Sequence, residues 1–252
     1  MYNVQVGGLV SLIAFLAALA AEMYVAITRP DRTWYEGRAA AESAKTLTWR
    51  FVVRGESFED PGDSQAEKTF LMELGEILQD LDAIDLTVGG SSQPQITDKM
   101  RSLRARDFPT RRDLYLTGRI RDQQDWYSRK TKFNEKRGHR WLIASIAFEV
   151  IGVVAGATRA FGGLDVDLLG LLAALAATIT AWVQAKQHQN LATAYGVTAQ
   201  ELASVASEAE AITDEGPWSQ FVGQAEEAIS REHTLWRASR GLRIRPPGTR
   251  RG

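Results

Sequence analysis

The sequence predicts an all-α membrane protein, with about three transmembrane helices continuing into a cytoplasmic helical bundle. Three observations carry this. Three apolar segments lack the polar stripe seen elsewhere. The segments between them repeat apolar residues at steps of three and four. No strand-like alternation of any length occurs. The chain has 252 residues, enough for one large domain or two small ones. Its formal net charge of -1 does not point to nucleic acid, and none is expected as a partner. With no cysteine, disulfides, thiolate metal sites and a cysteine nucleophile are excluded.

The first apolar segment is Val4–Ile27, "VQVGGLVSLIAFLAALAAEMYVAI". Crossing the hydrocarbon takes roughly 17 to 25 helical residues, so it is long enough. A signal peptide fits poorly, because "MYNVQV" has no lysine or arginine and the apolar run is too long. Next comes "RTWYEGRAAAESAKTLTWRF", rich in helix-forming alanine, glutamate and lysine, with Pro30 suited to a first turn. "GESFEDPGDS" breaks that helix. From Phe70 the residues Leu74, Ile77, Leu81, Ile84 and Val88 continue one apolar face. This seam is expected to pack on the cytoplasmic arms of the later hairpin. "GGSSQPQ" ends it.

Pro109 marks the next start, and nothing but Gly118 and Gly138 weakens a helix running from there into the second span. That span is "WLIASIAFEVIGVVAGA", about 141–157, and the third is "VDLLGLLAALAATITAWV", about 166–183. Both are short, but Trp141 and Trp182 stand where interfacial aromatics belong. Between them "TRAFGGLD" reads as a tight turn. After the third span the helix is expected to continue through Leu191, Tyr195, Thr198, Leu202, Val205, Ala209 and Ile212, making a long antiparallel pair. A turn at "DEGPW" leads to a last helix with Pro217 in its first turn. The basic, proline-rich residues 241–252 are expected to be disordered.

Lysine and arginine set the orientation. Arg29, Arg32 and Arg38 follow the first span; Lys130, Lys132, Lys136, Arg137 and Arg140 precede the second; Lys186 follows the third; the hairpin turn offers Arg159 alone. The N-terminus is therefore expected outside, with the middle region and C-terminus in the cytoplasm. Organisation reads as a first module at 1–90, a linker at 91–109, a second module at 110–240 and the tail.

Chemistry-bearing motifs are scarce. "VGG" at 6–8 and 88–90 lacks a phosphate-loop context. His139, His188 and His233 have no partner at metal-ligand spacing, and no G-x-S-x-G is present. No enzyme, cofactor or metal is expected. What remains is intramembrane polarity. Glu149 lies roughly 12 Å along a helix from Trp141, and Glu22 roughly 10 Å before Arg29. Facing lipid would be costly for both, so each should turn toward protein or water. One reading has them protonated and hydrogen-bonded, or Glu22 reaching back to the interface. The other makes Glu149, with Glu22, an acidic ring in a cation-preferring pore, opposed by Arg159. Gly152 and Gly156, like Ala173 and Ala177, are four apart and permit close helix approach, which suggests a homo-oligomer. Trp34, Tyr35, Trp49, Arg50, Trp126, Tyr127, Trp236 and Arg237 suit either cation–π contacts or packing interfaces.

Three stretches carry a family resemblance: "RTWYEGRAAAESAKTLTWRF", "RIRDQQDWYSRKTKFNEK" and "AEEAISREHTLWRASR". They resemble the SLATT superfamily, bacterial two-transmembrane effector domains associated with nucleotide-generating and nucleotide-sensing conflict systems. The likeness spans most of the chain as two consecutive modules. Each family module carries a transmembrane hairpin, whereas the first module here shows one span and reads as N-terminally short. The resemblance places Trp34, Tyr35, Glu42, Lys45, Trp49 and Arg50 on the first signature. Asp122, Gln123, Trp126, Tyr127 and Asn134 fall on the second, and Glu227, Arg231, Glu232 and Trp236 on the third. For these, packing is as fitting a role as ligand contact. It implies an inner-membrane oligomer that perturbs or permeates the membrane in antiviral or related defence, with itself, lipid and a nucleotide-signalling or sensor protein as partners. The alternative is a non-conducting membrane-anchored scaffold or sensor subunit. An ion-coupled transporter would normally need more spans.

Overall fold

The structure, a computed structural model, describes residues 6–28, 30–59, 62–82, 94–162 and 168–239. Their regular elements are all helical: α1 (Val6–Thr28), α2 (Pro30–Val53), α3 (Asp63–Asp82), α4 (Asp98–Arg104), α5 (Phe108–Tyr115), a π-helical turn (Leu116–Arg121), α6 (Asp122–Ala160), α7 (Leu168–Lys186), α8 (His188–Ala211) and α9 (Glu215–Ser239). The tail 241–252 lies outside the described residues.

Two helices among the described residues are long and apolar enough to cross a membrane, in Gly8–Thr28 and within Phe108–Ala160; their apolar stretches are unburied. This corrects the expected count of about three. The third segment falls on α7, which has 19 residues, and the start of that segment, 166–167, lies outside the described residues. The 53-residue run Phe108–Ala160 is helical throughout, as its single proline at the start suggested. Gly118 does not end it; the chain accommodates the weak point as the π turn.

The chain forms two compact units, residues 1–107 with 214–252, and residues 108–213. In the first, α3, α4 and α9 all pack on α2. Phe51 meets Phe58 edge-on at 5.7 Å between ring centres and Phe70 at 5.1 Å. The seam expected to lie on the hairpin arms thus finds its first neighbour on α2. Its members Ile84 and Val88 lie outside the described residues. The segment 91–109, read as a linker, contains α4. From α4 the fully buried Arg104 donates through Nη1 to Phe51 O (2.7 Å) and through Nη2 to Phe58 O (3.1 Å). Its guanidinium lies 5.0 Å from the Phe51 ring centre. One planar cation therefore ties the last turn of α2, at Phe51 O, to the segment that follows it, at Phe58 O.

The end of α2 is closed by two bonds, Gly55 N–H to Arg50 O (2.8 Å) and Arg54 N–H to Phe51 O (3.5 Å), with Arg54 at φ 57°. This is the left-handed helix stop usually given to glycine. Helix α9 then docks. Trp218 Nε1 donates to Val53 O (3.0 Å) and Glu56 N–H to Ser219 O (3.0 Å). Gly55 and Gly223 allow this close approach. A Cβ on Gly55 would stand 2.5 Å from Val222 Cγ1, and one on Gly223 would stand 2.8 Å from Glu56 Cβ.

In the second unit α6 packs along both α7 and α8. The expected continuous helix after the third segment is interrupted. Gln187 takes φ 46°, separating α7 from α8. Of the expected face, Leu202 and Ala209 are buried and Tyr195, Thr198, Val205 and Ile212 half-buried, with Ala192 and Ala206 buried beside them. Small side chains let the two helices come close, while Leu191 is left exposed.

Candidate functional site

The polar end of the hairpin is built by α6, α7 and the start of α8. Trp141 and Trp182, on facing helices, lie 6.2 Å apart, and the Lys186 ammonium sits 4.6 Å from the Trp182 ring centre. Immediately beyond, a cleft of about 820 Å³ opens, walled by Glu135, Gly138 and His139 of α6 and by Gln187, His188 and Gln189 at the kink. Asn134, buried beside it, donates from Nδ2 to Lys130 O (2.9 Å) and places Oδ1 2.8 Å from His188 Nδ1. Among the described residues no cluster of acids and histidines could hold a metal ion.

Into the apolar part of the hairpin, half-buried Ala144, Ser145, Phe148 and Gly152 of α6 and Leu172, Ala176, Ile179 and Val183 of α7 form the seam. Glu149 does not join it. Its side chain is exposed, and the Ser145 hydroxyl one turn earlier is 3.5 Å from Oε1. Glu22 is exposed on α1, and Arg159 is exposed in the last turn of α6. Within one chain, then, protein covers neither carboxylate. Ala173 and Ala177 are exposed too, on the side of α7 away from its seam.

The three signatures separate into distinct places. From the first, Trp34 is exposed, with the Arg38 guanidinium 5.4 Å from its ring centre. Tyr35 has its side chain outside the described residues; Glu42, Lys45 and Trp49 are half-buried on α2. Arg50 is a loop pin, donating through Nε and Nη2 to Glu56 O at 3.2 and 2.8 Å. From the second, Trp126 and Tyr127 form a three-ring cluster with Tyr195 of α8, at centre distances of 4.9, 5.8 and 5.7 Å. Asp122 is exposed and Gln123 half-buried. From the third, Glu227 is exposed, while the side chains of Arg231, Glu232 and Trp236 lie outside the described residues.

One residue of the third signature escaped sequence reasoning. Glu226 is fully buried and accepts from Thr46 Oγ1 at 2.8 Å, joining α9 to α2. The adjacent pair Glu226–Glu227 offers no sequence cue to which one turns inward. Only the register of the apolar Trp218, Val222 and Ala225 hints that Glu226 follows the same face.

These features define an all-α protein with membrane-length apolar helices and amphipathic helical arms. Residues 1–112 match the SMODS and SLOG-associating 2TM effector domain 3, and residues 115–236 match the SMODS and SLOG-associating 2TM effector domain 1. The chain belongs to the SLATT superfamily of effector domains. No curated protein matches it, and no solved structure does. The two matched stretches differ from the two compact units. The second match runs to residue 236 and so includes most of α9, which packs with α2 in the first unit.

Proposed function

We propose that the protein is a non-enzymatic inner-membrane effector that assembles as a homo-oligomer and opens a cation-preferring path through the bilayer, in bacterial antiviral or related conflict defence. A SMODS- or SLOG-type nucleotide-signalling protein is its upstream partner in this reading, supported by the wording of the matched family descriptions. In this reading the two membrane-length helices cross the bilayer, and the shorter α7 returns beside α6 to complete the hairpin. The N-terminus lies outside, and the helical arms are cytoplasmic, in line with the lysine and arginine bias.

The exposed Glu149 carries the proposal. It lies in an apolar stretch that α7 covers on one side only, with Glu149 itself exposed. An ionised carboxylate facing hydrocarbon is expensive, and a single serine at 3.5 Å does not offset that. Other copies of α6 can surround Glu149, or water in a shared pore can solvate it. Exposed small residues on α7 allow neighbouring copies to approach. Conductance of the purified protein in liposomes tests this, with Glu149→Gln as the diagnostic variant. The substitution keeps shape and hydrogen bonding but removes the charge. The variant is expected to assemble normally, to lose cation-over-anion preference and to be less toxic in cells. Unchanged selectivity and toxicity at normal membrane levels would assign Glu149 to packing. An oligomer that never conducts, with or without candidate nucleotides, would favour the scaffold or sensor reading.

A further inference from the structure

Outside the apolar span, α6 presents a second ordered surface. Trp126, Lys130, Phe133 and Arg137 succeed one another at steps of four, three and four, which is one face of a helix. The Lys130 ammonium lies 5.3 Å from the Trp126 ring centre and 5.8 Å from that of Phe133; the Arg137 guanidinium lies 5.2 Å from Phe133. Cations and rings thus alternate along the stripe. Phe133 remains 50% exposed between those two cations.

Helix α8 presents the opposite sign. Its buried side is marked by Ala192, Leu202, Ala206 and Ala209. On the far side, Val197 is 53% exposed and Glu201 is exposed one turn on. Lys130, Phe133 and Arg137 of the stripe, like Val197 and Glu201 of α8, are exposed outside the seam that joins the two helices, whereas Trp126 reaches that seam through Tyr195. The two exposed sets cannot meet within one chain.

Copies sharing one membrane orientation are related by rotation about the membrane normal, which leaves every residue at its own height. The register of the arms is set by Thr131 beside Gly196 and by the Arg121–Glu210 ion pair. In that register Phe133 and Lys130 of one copy stand within about one helical turn, roughly 5 Å, of the height of Val197 and Glu201 of the next. Ring then faces valine and ammonium faces carboxylate. The contact joins two different patches, so it repeats from copy to copy and closes a ring.

We propose that the Trp126–Arg137 stripe of α6 is the docking surface for the Val197–Glu201 face of α8 in a second copy of this chain. The proposal rests on the oligomeric reading above and names the contact that builds it. Anionic lipid is a poorer occupant. Lys130 lies eleven residues before Trp141, roughly 16 Å along the helix from the interfacial aromatics.

The chain has no cysteine, so introduced thiols report without background. A Phe133→Cys chain and a Val197→Cys chain, co-expressed and oxidised in membranes, are expected to form a disulfide-linked mixed dimer that neither chain forms alone. Lys130→Glu is expected to weaken self-association in nanodiscs by roughly tenfold, and Glu201→Lys in the same chain to restore it. Both side chains are exposed, and circular dichroism checks that the helices persist. If the mass stays multimeric while thiols fail to link and charge reversal is silent, the copies meet elsewhere and the docking proposal falls while the oligomer stands. If the unmodified protein is monomeric, both fall. If Lys130→Glu only reduces binding to anionic vesicles, the stripe is a lipid surface and the proposal is overturned.

Discussion

Asn134 on α6 and His188 at the start of α8 meet side chain to side chain at 2.8 Å, beside the kink where α7 gives way to α8. The Asn134 amide nitrogen is used by Lys130 O, so its oxygen faces the ring and His188 Nδ1 is the donor. The kink needs such support. Gln187 adopts a left-handed conformation without being glycine, at a cost on the order of 1 kcal/mol. Asn134 is buried, and His188 is half-buried on the wall of the cleft.

Replacing Asn134 with Ala is therefore expected to destabilise the hairpin by about 0.5–1.5 kcal/mol, the net worth of the lost bond to His188. Thermal unfolding in mild detergent reads this. Asn134→Asp, which keeps the acceptor but loses the bond to Lys130, should lie between wild type and Ala. An unshifted midpoint for Asn134→Ala would show that the kink is held by something else.

The glycines make a paired test. Gly55→Ala places a methyl 2.5 Å from Val222 Cγ1, and Val222 is fully buried. A loss of about 1–3 kcal/mol is expected from overpacking. Gly196→Ala places its methyl at an ordinary 3.7 Å from Thr131 Cγ2. There the helix gains alanine propensity, and an increase of roughly 0.5–1 kcal/mol is expected. Equal effects of the two changes would contradict the close docking of α9 at Gly55.

Arg104→Met should be the most damaging single change in the first unit. It removes bonds to Phe51 O and Phe58 O, each worth about 1.5–3 kcal/mol as a charge-assisted bond. Arg104→Lys keeps the charge but not the planar fork, and should recover only part of the loss. Limited proteolysis within residues 54–59 is a direct readout, because Arg104 holds that segment at Phe58 O. Protection equal to wild type in Arg104→Met would refute this role.

Two carboxylates on α3 should respond oppositely to pH. The Glu67 carboxyl is held below its usual range, chiefly by its hydrogen bond to Arg101, at 2.6 Å to Nε. A depressed carboxylate contributes stability above its unfolded pKa and loses it as pH falls through the folded value. Glu67→Gln should thus lower the midpoint at pH 7 and matter little near pH 3. Glu73 is pushed up, chiefly by burial. Its ionised form opposes folding, so Glu73→Gln should raise the midpoint at pH 7, and the gain should vanish as the pH falls below the usual carboxylate range. The same sign for both variants at pH 7 would overturn these assignments.

Much of the molecule follows from local pattern. The helical run from Pro109 to Ala160 could be read because helix formation depends on neighbours three and four residues away and no breaker intervenes. The same holds for Pro30 and Pro217, each in a first helical turn, and for the two apolar stretches long enough to span a bilayer. The signature around Trp126 and Tyr127 was legible as an aromatic cluster, though not that Tyr195 would complete it.

Tertiary structure decided the rest, because it turned on which distant groups could be satisfied together. Phe70 packs on Phe51 in α2, and the segment taken for a linker supplies Arg104 to cap that helix. Nothing in the spacing of Trp218 reveals that its indole seeks Val53 O. Nor does spacing show that Glu226 rather than Glu227 is buried against Thr46. The buried side of α8 takes in Ala192 and Ala206 beside the expected Leu202 and Ala209, because small side chains permit close approach, while Leu191 stays exposed. The break at Gln187 arises where the kink gains the Asn134–His188 bond. Periodicity along the chain sets which residues share a face; only packing chooses the face that is buried and the partner that covers it.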